Sequence, residues 1–212
     1  VTGTGAYTAD RNLPGQVHAF FLRSDRPHAK ILKIDATAAL ATPGVRLVLT
    51  GEDIKAAGFK PQPVNAIAGK SRDGTDLVKT TRMALPSDRV RFVGEAVACV
   101  VADTVAIAQD AAEKIVVDYE VLPFVLDQED ALKPDAPKIW PEGNIALSAQ
   151  NKPDPIGQRR GNVADGFAKS AHVFEDRYST AFVHNAQMEP RSCVSHWEGD
   201  KLTVYTPTGG IA

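Results

Sequence analysis

The sequence predicts an α+β fold in two parts: a mixed α and β domain over residues 1–122 and the start of a second domain over residues 161–212. Two observations carry this prediction. Up to residue 122, short runs of β-branched and aromatic residues alternate with short helical patterns. Five prolines then fall between residues 133 and 161, among glycines and scattered charges, which is typical of a linker. We therefore place an extended linker at residues 123–160.

The first part is predicted to hold six strands and three helices. The strands are expected at residues 17–23, 29–35, 45–50, 90–93, 96–102 and 116–122. The helices are expected at residues 36–41, capped by Asp35, at residues 52–57, and at residues 105–115, capped by Asp103 or Thr104. The last helix carries a face of small apolar residues, which predicts close packing on a sheet: Ala108, Ala111, Ala112 and Ile115. Residues 60–80 are rich in proline, glycine and polar residues and predict a long exposed loop.

The second part is predicted to begin with one short helix and to continue in strands. Asn162 precedes a helical pattern at residues 163–170 and is a good N-cap residue. Strands are expected at residues 172–182, 192–197 and 202–206. The last two are separated by turn residues that predict a hairpin.

Composition excludes several classes of function. The formal net charge of −2 gives no support to a nucleic-acid partner, and no apolar run reaches the roughly 18 residues that span a bilayer. The two cysteines and five histidines fit no metal-ligand spacing, so we expect no metal site formed by the protein itself. The lack of a disulfide framework favours the cytoplasm. The periplasm stays open, because the sequence starts without Met and resembles a piece of a longer polypeptide.

The densest group of chemically active side chains lies in one turn, at residues 181–193. If Phe182 ends a strand and Ser192 begins the next, the structural interpretation is that Met188 fills a gap in the core. Glu189 and Arg191 would then bond the backbone of the turn or each other. A second interpretation is a hydrolase in which Cys193 or Ser192 is the nucleophile and His184 its base, although no third residue to orient the base is evident.

Several segments together resemble one known family. They are LPGQVHAFFLRS (13–24), AKILKID (29–35), PGVRLVLTGED (43–53), DRVRFVGEAVACVVADT (88–104), AAEKIVVDYEVLP (111–123), GNVADGF (161–167) and MEP (188–190). In content and order they resemble the N-terminal part of the molybdenum-binding large subunit of the xanthine dehydrogenase/aldehyde oxidase family. The resemblance implies an α/β hammerhead domain at residues 1–122. It also implies that residues 161–212 are the incomplete start of a molybdenum-cofactor-binding domain.

The resemblance also implies a function. Family members are molybdenum hydroxylases or dehydrogenases that oxidise an aldehyde, an N-heterocycle or a similar small molecule with oxygen taken from water. Their molybdenum is held by molybdopterin, and electrons leave through [2Fe–2S] clusters to FAD on partner subunits. The expected partners are the remainder of the molybdenum subunit, an iron–sulfur subunit, an FAD subunit and the small-molecule substrate. The alternative is a non-catalytic binding or scaffold module with a hammerhead fold.

The resemblance assigns few residues to a site. Gln187, Glu189, Gly209 and Gly210 are expected near the molybdopterin. Gly209 stands where relatives commonly have a glutamine close to the metal, which suggests a variant pocket. We expect no catalytic residue in this chain, because the family's glutamate base lies beyond residue 212. The isolated chain is therefore expected to be inactive and structural.

Overall fold

The structure is a computed structural model that describes residues 2–62, 82–141, 143–144, 161–184 and 186–207. These residues fall into two compact units. One unit comprises residues 17–159, and the other combines residues 1–16 with residues 160–212. Of the loop expected at residues 60–80, all but the first three residues lie outside the described ranges. Among the helices of the described residues, none is long and apolar enough to cross a membrane.

The unit of residues 17–159 is built on two antiparallel sheets of three strands each. Its strands are β1 (His18–Arg23), β2 (Ala29–Asp35), β3 (Val45–Thr50), β4 (Arg89–Val90), β5 (Ala96–Ala102) and β6 (Val116–Val121). One sheet has the order β1-β5-β3 and the other has the order β4-β2-β6. The apolar strand β5 lies in the middle of its sheet, as its continuous hydrophobic run predicts, and most of its residues are buried.

Three helices accompany these sheets: α1 (Thr37–Leu40), α2 (Gly51–Ala56) and α3 (Val105–Ala112). The predicted small-residue face of α3 is confirmed, because its three alanines and the following Ile115 are buried in the main hydrophobic core. Thr104 caps α3, its side-chain oxygen accepting a hydrogen bond from the backbone N–H of Ile107. The N-cap of α1 is Ala36 and not the predicted Asp35, although the carboxylate of Asp35 accepts a hydrogen bond from the backbone N–H of Thr37 at the start of the helix.

Gly51 is required where α2 begins. A Cβ atom at this position would lie 2.2 Å from the backbone oxygen of Pro86 and 2.6 Å from the backbone nitrogen of Ser87. No real Cβ approaches backbone atoms so closely, so the absence of a side chain lets the segment carrying Pro86 pack on the helix.

The strand predicted at residues 90–93 is wrong beyond Val90, since β4 ends there. The backbone N–H of Arg91 donates to the carboxylate of Glu95 at 2.6 Å, and Gly94 takes a positive φ of 92°. A side chain has therefore taken the hydrogen bond that a longer strand would give to its neighbour, and residues 91–95 form a turn.

The second unit contains a short 3₁₀ helix at Thr8–Asp10, helix α4 (Val163–Lys169) and the strands β7 (Val194–Glu198) and β8 (Lys201–Tyr205). Asn162 caps α4 as predicted, accepting a hydrogen bond from the backbone N–H of Asp165. Strands β7 and β8 form the predicted antiparallel hairpin, with Gly199 at a positive φ in its turn.

The strand predicted at residues 172–182 is wrong, because these residues form no regular element. A strand needs a neighbour to receive its backbone hydrogen bonds, and within the described ranges no segment pairs with this one. Its aromatic side chains are correspondingly exposed, at 91% for Phe174, 88% for Tyr178 and 100% for Phe182.

Candidate functional site

A local hydrogen bond and an uncommon backbone conformation shape the polar turn that precedes β7. Ala186 takes a positive φ of 40°, which is uncommon for a residue with a side chain. Its N–H donates to Nδ1 of His184 at 3.1 Å, so that ring nitrogen serves as an acceptor within the turn. His184 is thereby tied to local structure, although its side chain is exposed.

Two polar atoms in the turn are buried and lack partners among the described residues: Oε1 of Gln187 and Oγ of Ser192. A buried polar atom left without a hydrogen bond costs about 1–3 kcal/mol, and such atoms are rare unless a ligand or water satisfies them. An amide oxygen accepts hydrogen bonds, and a hydroxyl both donates and accepts them. Each of the two atoms therefore has unused hydrogen-bonding capacity.

Glu189 is engaged by the N-terminal segment. Its Oε1 accepts a hydrogen bond from the backbone N–H of Thr8 at 3.3 Å, at the start of the 3₁₀ helix. Nearby in the sequence, the guanidinium of Arg11 lies 4.2 Å above the ring of Tyr205 in β8. These contacts join residues 1–16 to the rest of this unit, and Glu189 provides one of them.

The structural interpretation of this turn is wrong in two details. Met188 does not fill a gap in the core, since 88% of it is exposed. No ion pair between Glu189 and Arg191 occurs within the described part of the chain, because the glutamate bonds the N-terminal segment instead. Sequence reasoning could not find Thr8 as the partner, since 181 positions separate the two residues and no local pattern connects them.

The geometry does not support a nucleophile with a histidine base. Cys193 is exposed, and its sulfur lies 3.7 Å from the hydroxyl of Ser195, a weak contact between two groups that are not bases. In the residues that the structure describes, neither Ser192 nor Cys193 has a histidine partner. A nucleophile needs its base within hydrogen-bond reach, so the hydrolase interpretation has no structural basis.

Two of the expected site residues cannot be placed in the turn, and the described residues contain no cluster of metal ligands. Gly209 and Gly210 lie outside the described residues. Among the residues that are described, no group of three or more His, Cys, Asp or Glu side chains could hold a metal ion. Of the turn residues that the structure describes, Gln187 and Ser192 are the two with buried polar atoms that lack a hydrogen-bond partner.

Both parts of the chain match models of known protein families. Residues 2–123 match the a/b hammerhead domain of aldehyde oxidase and xanthine dehydrogenase. Residues 148–212 match the molybdopterin cofactor-binding domain.

Individual proteins agree with these matches. The chain is 34% identical to 6-hydroxypseudooxynicotine dehydrogenase complex subunit gamma of Paenarthrobacter nicotinovorans over 97% of its length. It is also 34% identical to the nicotine 6-hydroxylase large subunit of the same organism over 98% of its length. Its structure resembles quinoline 2-oxidoreductase from Pseudomonas putida 86 with a TM-score of 0.73 and 34% identity over 97% of the chain. It spans 25%, 24% and 25% of these three chains, which is about a quarter of their length.

Proposed function

Because the chain belongs to the aldehyde oxidase and xanthine dehydrogenase family, we propose that it is the N-terminal part of the large subunit of a molybdenum hydroxylase. The observation that carries the proposal is the order of the two matches, a hammerhead domain followed by a molybdopterin-binding region. The substrate class is an aldehyde, an N-heterocycle or a similar small molecule. The names of two similar proteins, which contain nicotine and quinoline, favour an N-heterocycle.

Within this proposal, Gln187 and Ser192 are the described residues that would hold the molybdopterin. Their buried oxygens are without partners among the described residues and can bond the N–H groups and acceptors of the pterin. Glu189 would act as a positioning residue that orders the N-terminal segment beside the turn. Gly209 and Gly210 complete the proposed set as positions where backbone can approach the cofactor. When bound, the molybdenum group supplies the redox chemistry.

The proposal extends to the assembly. The chain would form a hammerhead domain at residues 1–122, a linker at 123–160 and the start of the cofactor domain at 161–212. Its partners would be the remainder of the molybdenum subunit, an iron–sulfur subunit and an FAD subunit, in the cytoplasm. The two relatives from Paenarthrobacter are named as subunits, one of them of a complex, which supports a multi-subunit enzyme.

The experiment compares the full-length protein and its partner subunits with residues 1–212 alone, both produced in a host that makes molybdenum cofactor. We expect about one molybdenum and one pterin in each full-length large subunit, with oxidation of an N-heterocycle. Residues 1–212 alone should show no such activity, because they span about a quarter of the relatives' length.

A scaffold module with the same fold makes the opposite prediction for the full-length protein. It would contain neither molybdenum nor pterin, and that result would refute our proposal.

Within the full-length protein, Gln187→Leu should lower the pterin content because it removes an acceptor. Glu198→Gln, an exposed change at the end of β7, is the matched control and should leave the pterin content unchanged.

A further inference from the structure

A basic pocket lies in the unit of residues 17–159. We define it by Asp88, Arg89 and Arg91, at and beside strand β4, and by residues 138–141 of the connection that follows β6. Its two sides are close in space although about 50 positions separate them in the sequence. The family comparison gives this pocket no role.

Both sides of the basic pocket are held in place by hydrogen bonds. The backbone N–H of Arg91 is fixed by the carboxylate of Glu95 at 2.6 Å. On the other side, Asn144 accepts from the backbone N–H of Ile139 at 2.9 Å and donates to the carbonyl oxygen of Pro137 at 2.9 Å. These contacts fix the backbone on both sides of the basic pocket.

The guanidinium of Arg91 is held against an aromatic ring, but its N–H groups make few good hydrogen bonds. It lies 4.4 Å from the centre of the Trp140 ring, and the side chain is only 16% exposed. Among the described residues, its two terminal nitrogens make only long contacts, 3.4 Å to the carbonyl oxygen of Arg89 and 3.5 Å to the carboxylate of Asp88. Its Nε–H is buried and has no partner among the described residues. A guanidinium in this state has unused capacity for an anion.

The charge of the lining is unbalanced. Arg89, Arg91 and Lys138 contribute three positive charges, and Asp88 contributes one negative charge, which leaves a net charge of +2. Asp88 is shared between both arginines, at 3.2 Å from Arg89 and 3.5 Å from Arg91. Asp88 is therefore divided between two guanidinium groups, and the carboxylate of Glu95 also interacts electrostatically with Arg91.

The size of the basic pocket limits the ligand. Its volume of about 210 Å³ is below the roughly 300–1,000 Å³ of sites for drug-sized molecules. We propose that the basic pocket binds a small oxyanion of the phosphate class, held by Arg89, Arg91 and Lys138.

The test is calorimetric titration of the full-length protein in its native assembly with inorganic phosphate at constant ionic strength. Wild type should show saturable binding. Lys138→Gln should weaken it by about tenfold, because one cation of the lining is lost. Asp88→Asn should strengthen it by about threefold, because the one carboxylate among the described lining residues is lost. This gain of affinity cannot come from misfolding. The matched control is Lys133→Gln, which removes a lysine that pairs with Asp130 outside the basic pocket and should change affinity by less than about twofold.

Two outcomes would overturn the proposal. One is the absence of saturable phosphate binding in wild type. The other is saturable binding that Lys138→Gln and Asp88→Asn leave unchanged, which would place the phosphate elsewhere in the assembly. Monoanionic acetate serves as the comparison ligand and should bind about tenfold more weakly than phosphate, because it carries less charge. Equal affinity for the two anions would also count against a phosphate site.

Discussion

Replacing Glu189 separates a positioning role from a direct role at the cofactor. Glu189→Gln keeps an oxygen that can accept the hydrogen bond from Thr8, whereas Glu189→Ala removes the acceptor. If the residue orders the N-terminal segment, the glutamine variant should behave almost as wild type and the alanine variant should not. If the carboxylate charge contacts the cofactor, both variants should lose molybdenum.

The size of the effect follows from the contact. Hydrogen bonds to charged groups contribute about 1.5–3 kcal/mol, and a distance of 3.3 Å is slightly beyond the usual 2.7–3.2 Å range. We therefore expect a loss of about 1.4 kcal/mol in Glu189→Ala, which is roughly a tenfold increase in opening of the segment. The stacking of Arg11 on Tyr205, worth about 0.5–1 kcal/mol, should keep the segment from detaching fully.

The assay is hydrogen–deuterium exchange of residues 2–16 in the full-length protein, together with molybdenum analysis of the same samples. Exchange should be about tenfold faster in Glu189→Ala and within about threefold of wild type in Glu189→Gln. Arg11→Gln is the control, because it weakens the other contact of the same segment without touching Glu189. Normal exchange in both Glu189 variants, accompanied by loss of molybdenum, would refute the positioning role.

Three further predictions concern the unit of residues 17–159. Gly51→Ala should destabilise it by about 3 kcal/mol in denaturant unfolding, because backbone must retreat by more than 1 Å. Gly58→Ala, where φ is +75° but the space is open, should cost only about 1 kcal/mol; equal losses would contradict the steric argument. The Asp35 carboxyl should titrate by NMR at a pKa of about 2, chiefly because Thr37 bonds it, and Thr37→Ala should raise that pKa. Since the folded pKa is lowered, this stabilisation is present above about pH 4 and is lost as pH falls toward 2. Burial raises the pKa of Cys99, so at neutral pH it should react with a thiol reagent far more slowly than the exposed cysteine, and equal rates would contradict its burial.

The elements that the sequence predicted correctly are those whose stabilising contacts follow from a local pattern. The alanines of α3 repeat at helical spacing and form one face, so their burial could be inferred without knowing the partner. The run of β5 is apolar on both sides, which indicates a central strand. The hairpin of β7 and β8 depends on turn residues between two short β-type runs.

Three of the errors concern hydrogen bonds whose presence or partner the pattern does not reveal. Residues 91–93 have β-type side chains, but the carboxylate of Glu95 takes the N–H that would have extended β4. Residues 172–182 have the composition of a strand, but no neighbour in the described part of the chain receives their backbone bonds. The partner of Glu189 is equally invisible, because Thr8 approaches it from the other end of the chain.

The same reasoning changes which residues of the polar turn are of functional interest. Residue type alone favours His184, Glu189 and Cys193, since these side chains carry out acid–base and nucleophilic chemistry in enzymes. Each of them already has a contact within the protein, to Ala186, Thr8 and Ser195 respectively. Gln187 and Ser192 are chemically milder, yet they have buried oxygens without partners among the described residues. Since a buried polar atom without a hydrogen bond is costly, we propose that a cofactor would contact the turn mainly at Gln187 and Ser192. Substitutions there should lower cofactor retention, whereas substitution of Glu189 should first loosen the N-terminal segment.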